Sequence, residues 1–112
     1  MKRLNDREIE VVGIILAAGR PITSSQIVKA NKELTQSTVQ TAIRKLLEAG
    51  CIEVQGITYS GNVLSRTFVT TAAVKQIVLN DFVQRYRKIS AIISLPEAVS
   101  ALRGSEEKEC VN

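Results

Sequence analysis

The apolar pattern of this chain changes period at Gly50. Ahead of it, Val39, Ala42, Ile43, Leu46, Leu47 and Gly50 recur at i, i+3, i+4, i+7, i+8 and i+11, one stripe of an α-helix over Thr35–Gly50. Beyond it, Cys51-Ile52-Glu53-Val54-Gln55 alternates with period 2, the mark of a half-buried strand. A helix that passes into a strand at one glycine confines the chain to a mixed α+β arrangement.

The face of this helix opposite its stripe carries Gln36, Ser37, Gln40, Thr41 and Arg44, with Lys45 at the edge. Glu–Lys pairs, the usual furniture of a solvated helix, are almost missing from its first two turns. Gln and Arg can bond two base-edge atoms at once, and Ser and Thr suit either partner. The helix therefore reads as a DNA-recognition helix, and its surroundings decide whether that reading stands.

Upstream, Asn5 is a good N-cap, and Glu8 three residues on completes a capping-box pattern. Ile9, Val12, Ile15 and Leu16 then form an apolar stripe, widened by Val11 and Ala17, and Gly19 ends this first helix. Arg20-Pro21-Ile22 is an extended link with room for a minimal edge strand. Thr23 or Ser24 caps a short second helix with Ile27, Val28 and Ala30 as its apolar positions. Leu34 precedes the cap Thr35 and is placed to staple onto Val39. Two short helices joined by a tight turn give helix-turn-helix spacing.

Downstream, Gly56 shifts the phase of the first strand and reads as a bulge. Ser60-Gly61-Asn62 is a turn signal, and Val63–Thr70 is a second β-branched run. Three helices followed by a hairpin is the order of a winged helix-turn-helix. From Thr71 the spacing predicts a long helix unbroken until Pro96. Val74, Val78, Phe82, Tyr86, Ile89 and Ile93 share one side of it, while Ile77, Leu79, Val83 and Ile92 point elsewhere. A helix apolar on more than one side must bury the second against something, and a symmetry-related copy is the simplest answer. A short helix from Pro96 to about Arg103 and a frayed tail close the chain. The expected domains are a DNA-binding domain over 1–70, a helical dimerisation region over 71–103 and a flexible tail over 104–112.

Composition narrows the chemistry. The 112 residues suit one domain or a domain with a helical appendage, and at 45% hydrophobic they can bury a core, aliphatic because only 4% is aromatic. The net charge of +4 fits a polyanionic partner without requiring one. There is no histidine, which removes the usual general base and imidazole metal ligand. Cys51 and Cys110 are far apart, so no zinc finger, CxxC motif or disulfide scaffold is expected, and Cys51 reads as a small core residue. Asp6 and Asp81 are the only aspartates and no glycine-rich phosphate loop occurs. We therefore expect no enzyme, no metal and no cofactor. The opening MKRLNDREIE has no apolar core of a signal peptide and no run approaches a membrane span, which suggests a cytoplasmic protein with no membrane partner.

Within the recognition face, Ser37, Gln40, Thr41 and Arg44 are expected nearest base edges, and Thr38 and Lys45 against phosphate. Arg66, the one charged residue between Glu53 and Lys75, is either a wing cation against phosphate or minor groove, or a solvent-side strand residue. Thr23, Ser24 and Ser25 are either phosphate donors or caps. Lys2, Arg3 and Arg7 are read as a charged terminus, with a phosphate-contacting arm as the alternative.

The block REIEVVGIILAAGRPITSSQIVKANKELTQSTVQTAIRKLLEAGCIEV resembles the penicillinase-repressor and methicillin-resistance-repressor family, above all in ITSSQI and STVQTAIRKLLEAGCIEV. The resemblance covers about residues 4–70. It implies a homodimeric transcriptional repressor that binds a palindromic operator and dimerises through its C-terminal helices. By position, Ser37, Thr38, Gln40, Thr41 and Arg44 match the family's DNA-contacting helix. The tryptophans common in that family's first helix are missing, the C-terminal region is shorter, and the lone Cys110 cannot form a clustered-cysteine copper site. The expected partners are double-stranded DNA and a second copy of the chain. The competing reading is a winged-helix module for protein contacts without DNA binding.

Overall fold

The computed structural model describes residues 4–111, with side chains described for all of these except Ser60 and 105–111. Five helices and one antiparallel hairpin follow in the order α1 (Asp6–Ala18), α2 (Ser24–Ala30), α3 (Gln36–Ala49), β1 (Ile52–Ser60), β2 (Val63–Thr70), α4 (Val74–Ile89) and α5 (Leu95–Val111). Two compact units result, Met1–Val78 and Leu79–Asn112.

The first three helices begin where short polar side chains satisfy free backbone donors. Asn5 accepts from the Glu8 amide at 2.8 Å while Glu8 Oε1 accepts from the Asn5 amide at 3.2 Å, a complete capping box. Thr23 and Gln26 repeat it for α2 at 3.3 and 2.9 Å. Thr35 caps α3 by accepting from the Thr38 amide at 3.1 Å. Leu34 and Val39, the two members expected to staple this start, are both buried.

The helix ends are equally local. Gly19 and Gly50 stand in the left-handed region at φ 65° and 83°. At Gly50 the amide of Cys51 donates to the Leu46 carbonyl at 3.0 Å and the amide of Gly50 to the Leu47 carbonyl at 3.2 Å, the two bonds of a Schellman motif. That motif turns the chain directly into β1, and Cys51 falls into the core.

The core of the first unit gathers Val11, Val12 and Ile15 of α1, Ile27 of α2, Val39, Ile43 and Leu46 of α3, Ile52 of β1 and Phe68 of β2. On α1 the buried line is Glu8, Val11, Val12 and Ile15. Leu16 and Ala17, expected to widen the apolar stripe, are exposed instead, because the helix meets α3 along the 8-11-12-15 line. The expected edge strand is a single bridge. The Ile22 and Phe68 amides each donate to the other's carbonyl, at 3.2 and 2.8 Å, and set residue 22 beside β2.

In the hairpin the bulge falls one residue earlier than expected. Val54 pairs with Phe68 and Gly56 with Thr67, which leaves Gln55 as the extra residue. Gly61 takes φ 67° in the turn.

Two expectations about the C-terminal part are corrected. The helix does not start at Thr71, whose hydroxyl donates to the Gly50 carbonyl at 2.6 Å and whose amide donates to the Cys51 carbonyl at 3.0 Å. Those bonds hold Thr71 against the end of α3. Nor does the helix run unbroken to Pro96, since α4 stops at Ile89. Ser90 Oγ bonds back to the Arg87 carbonyl at 3.0 Å, a side-chain bond that competes with the helical ladder. Ser94 and Glu97 then open α5 with reciprocal bonds: the Ser94 amide donates to Glu97 Oε1 at 3.3 Å and the Glu97 amide to Ser94 Oγ at 3.4 Å. The Ser94 hydroxyl, which also donates to Glu97 Oε1 at 2.9 Å, and then the Ser94 amide hold the Glu97 carboxyl below its ordinary pKa. The final helix continues through Val111, so the backbone from 104 to 111, assigned to a tail, is helical.

Gly50→Ala should lower stability by about 1–2 kcal/mol, because an L-residue is strained at that backbone angle. A Cβ there meets nothing closer than Ile77 Cδ1 at 4.0 Å, so the cost is conformational. Gly13→Ala, in the middle of α1 with nothing within 4 Å, should raise stability by about 0.5–1 kcal/mol. Urea unfolding midpoints check both signs.

Candidate nucleic-acid interface

With Val39, Ala42, Ile43 and Leu46 buried and Leu47 and Ala49 packed against the core, the opposite face of α3 is open to solvent. Gln36, Ser37, Gln40, Thr41, Arg44 and Lys45 are all exposed, and Thr38 is half-buried. The structure therefore sets every α3 residue singled out by sequence on the open side or its margin.

The face is held in order by α2. Ser24 Oγ accepts from Gln36 Nε2 at 3.1 Å and from Gln40 Nε2 at 3.2 Å. One serine fixes two amide side chains a turn apart, and each amide keeps its carbonyl oxygen and a second N–H for another partner. Thr38 Oγ1 accepts from the Thr35 hydroxyl at 2.9 Å, which ties it to the helix start. Of the three residues weighed as phosphate donors on α2, Thr23 is a buried cap and Ser24 serves the glutamines.

Lys45 has a partner within the unit. Its Nζ lies 4.0 Å from Glu8 Oε2, with half of the lysine side chain exposed and the carboxylate almost wholly buried. Its charge is thereby partly offset at the edge of the face. The sequence signal for Glu8 was its capping-box position; that it also falls on the buried line of α1 was missed. Arg7 pairs with Glu10 at 3.0 Å on the surface. Lys2, Arg3 and the Cys110 side chain lie outside the described residues.

Arg66 joins the α3 face. It lines an open cleft of about 320 Å³ together with Gln40, Thr41, Ile43, Arg44 and Leu47. Its guanidinium carbon sits 5.5 Å from the centre of the Phe68 ring, a cation–π distance that braces it against the hairpin. Sequence left Arg66 open between two roles, since only the folded hairpin shows which way β2 faces. A second cleft, of about 420 Å³, runs between the end of α1 and the hairpin base and includes Leu16, Arg20, Gln55 and Val69.

The residues named for dimerisation divide. Val74 is 6% exposed and belongs to the core of the first unit, with Val78 packed against it. Val74 is thus not a surface contact, because α4 begins as part of the first unit. Phe82, Ile89 and Ile93 are exposed, and the Tyr86 hydroxyl donates to the Ile93 carbonyl at 3.1 Å. Leu79, Ile92, Leu95 and Leu102 are also exposed. Among the described residues no group of acids and cysteines is arranged to hold a metal, and no helix is long and apolar enough to cross a membrane.

A helix-turn-helix with a hairpin wing and an outward polar face on α3 defines a winged-helix fold. The profile of the Penicillinase repressor family matches residues 4–106, and the chain belongs to that family. It is a family of DNA-binding transcription regulators, not of enzymes. No curated protein matches the chain. Solved structures share the fold. One is a MarR family regulator from Neisseria meningitidis, 20% identical over 96% of this chain and 75% of its own, TM-score 0.52. Another is Bacillus subtilis PadR in complex with operator DNA, 19% identical over 90% and 76%, TM-score 0.54. A third is an S. aureus MepR variant bound to an oligodeoxyribonucleotide, 15% identical over 96% and 78%, TM-score 0.55.

Cys51 completes the account of reactive groups. It is fully buried, and burial pushes its thiol pKa up, with the negative charge of Glu8 adding to the rise. In a Cys110→Ser background, native Cys51 should react with a thiol reagent at pH 8 at least about ten-fold more slowly than in urea. Equal rates would contradict its burial.

Proposed function

We propose that the chain is a homodimeric repressor that occludes a promoter by binding a palindromic operator. The observation that carries this is the gathering of Gln40, Thr41 and Arg44 of α3 with Arg66 of the hairpin around one open cleft. Ser37, Gln40, Thr41 and Arg44 are assigned to base edges in the major groove, since the N-terminal part of such a helix goes deepest. Gln36, Thr38 and Lys45 are assigned to the flanking backbone, with Lys45 exchanging part of its Glu8 contact for phosphate. Arg66 is the wing cation. PadR and MepR, solved on DNA, have the same fold and support this arrangement.

The second copy is assigned to the second unit. Phe82 and Leu79, each 52% exposed, with Ile92 at 80%, are large apolar side chains that water solvates poorly. Covering them with the same surface of a second copy gives a two-fold interface. The dimerisation residues are then Phe82, Tyr86, Ile89 and Ile93 with Leu79 and Ile92, without Val74 and Val78, which pack in the first unit.

Footprinting on the adjacent promoter should protect two half-sites about 34–36 Å apart, and affinity should fall steeply with salt. Absence of protection at low salt would remove the proposal. Arg44→Ala should cost about 1–3 kcal/mol and relax specificity at one base pair, whereas uniform weakening on all sequences would mark Arg44 as a phosphate contact.

Phe82→Glu should shift the sedimenting species from dimer to monomer and weaken binding to the full palindrome far more than to one half-site. A variant that stays dimeric would relocate the interface.

A further inference from the structure

The two glutamines on the open side of α3 share one partner on the helix before it. Ser24 Oγ accepts from Gln36 Nε2 at 3.1 Å and from Gln40 Nε2 at 3.2 Å. The serine is itself placed by a fixed segment. Ile22 and Phe68 exchange backbone bonds at 3.2 and 2.8 Å, and Thr23 is buried. The Thr23–Gln26 capping box then sets the first turn of α2, in which Ser24 stands. A hydroxyl has two acceptor sites and one hydrogen, so the two N–H groups fill the acceptor capacity of Ser24. Each amide is left with its oxygen and one N–H.

That remainder has a chemical counterpart. In the major groove adenine presents N7 as an acceptor and its N6 amino group as a donor, which one amide oxygen and one N–H match as a pair. Guanine presents two acceptors there, N7 and O6. An unrestrained glutamine can turn its amino group toward them and give one N–H to each. Gln40 cannot do so while Ser24 holds one of its N–H groups, and its oxygen would stand against O6. Resting on the DNA reading of α3, we propose that Ser24 is a positioning residue for specificity, which commits Gln40 to adenine and against guanine at one base pair. Ser24 does this through Gln40 alone, without reading a base. Gln36, at the first position of α3, fills the second acceptor site and keeps the serine oxygen turned toward α3. None of the three side chains is charged, so this discrimination releases no counterions and does not depend on salt.

The test uses a duplex enriched by the wild-type protein from a random-sequence pool, with each base pair then exchanged in turn. At one A·T pair, exchange for G·C should lower affinity by about ten-fold or more, and Gln40→Ala should remove that difference. Ser24→Ala should reduce the preference for adenine over guanine at the same pair by about three-fold or more. Preferences at other pairs and the slope of log affinity against log salt should not change. Ser24→Thr, which keeps the hydroxyl, should restore the preference. The readout is a ratio of two affinities for one variant, so a loss of stability in Ser24→Ala does not move it. Gln40→Glu, which offers acceptors only, should transfer the preference at that pair from adenine to cytosine. A Ser24→Ala variant that keeps the wild-type ratio, or weakens all duplexes alike, overturns the proposal. So does an enriched duplex in which no pair responds to Gln40→Ala. If the wild-type protein enriches no duplex, the DNA reading of α3 falls and the assignment to adenine falls with it.

Discussion

Val39, Ile43 and Leu46 leave α3 no choice about which side it shows to solvent. Each is at most 1% exposed, and full burial of such a side chain is worth about 1.5–3 kcal/mol. Turning α3 about its axis by one position would bring a glutamine or arginine into the core and an aliphatic side chain into water. The orientation of Ser37, Gln40, Thr41 and Arg44 is therefore a consequence of packing that none of these four residues provides. The Schellman turn at Gly50 extends the same constraint into the hairpin, because Cys51 and Ile52 are delivered to the core directly after the helix.

On this frame the polar groups are tuned by contacts of long range in the chain. Ser24 holds Gln36 and Gln40 across the helix-turn-helix, and Glu8 reaches Lys45 from α1. Both contacts order side chains before any partner arrives, which lowers the entropy lost when they bind. Arg66 is the only charge the hairpin offers toward α3, and its place over Phe68 keeps it there. Fixed amides and few cations suit a surface that draws much of its discrimination from shape and hydrogen bonds.

The C-terminal part shows how small polar residues override an apolar pattern. The run from Thr71 to Leu95 has no glycine or proline, so periodicity alone extends one helix across it. Thr71 is held by backbone carbonyls at the end of α3, while Ser90 and Ser94 use their hydroxyls to stop one helix and start the next. The apolar side chains on either side of that break remain largely exposed within the second unit, which is the physical reason to assign them a second copy.

What was legible in the sequence was what is settled within a few residues. The caps at Asn5, Thr23 and Thr35, the glycine stops at Gly19 and Gly50, the period change at Gly50 and the turn at Gly61 each depend on neighbours within a helical turn. From these follow the order of elements and the polar face of α3. What needed the tertiary structure was whatever depends on where one element meets another. The line along which α1 meets α3 placed Leu16 outside the core and Glu8 inside it. The first unit's core took Val74 from the proposed dimer surface, and the pairing of β1 with β2 moved the bulge to Gln55 and turned Arg66 toward α3. A local pattern says which residues want burial, but only the assembled core decides which of them obtain it, because the space is shared among helices far apart in the chain.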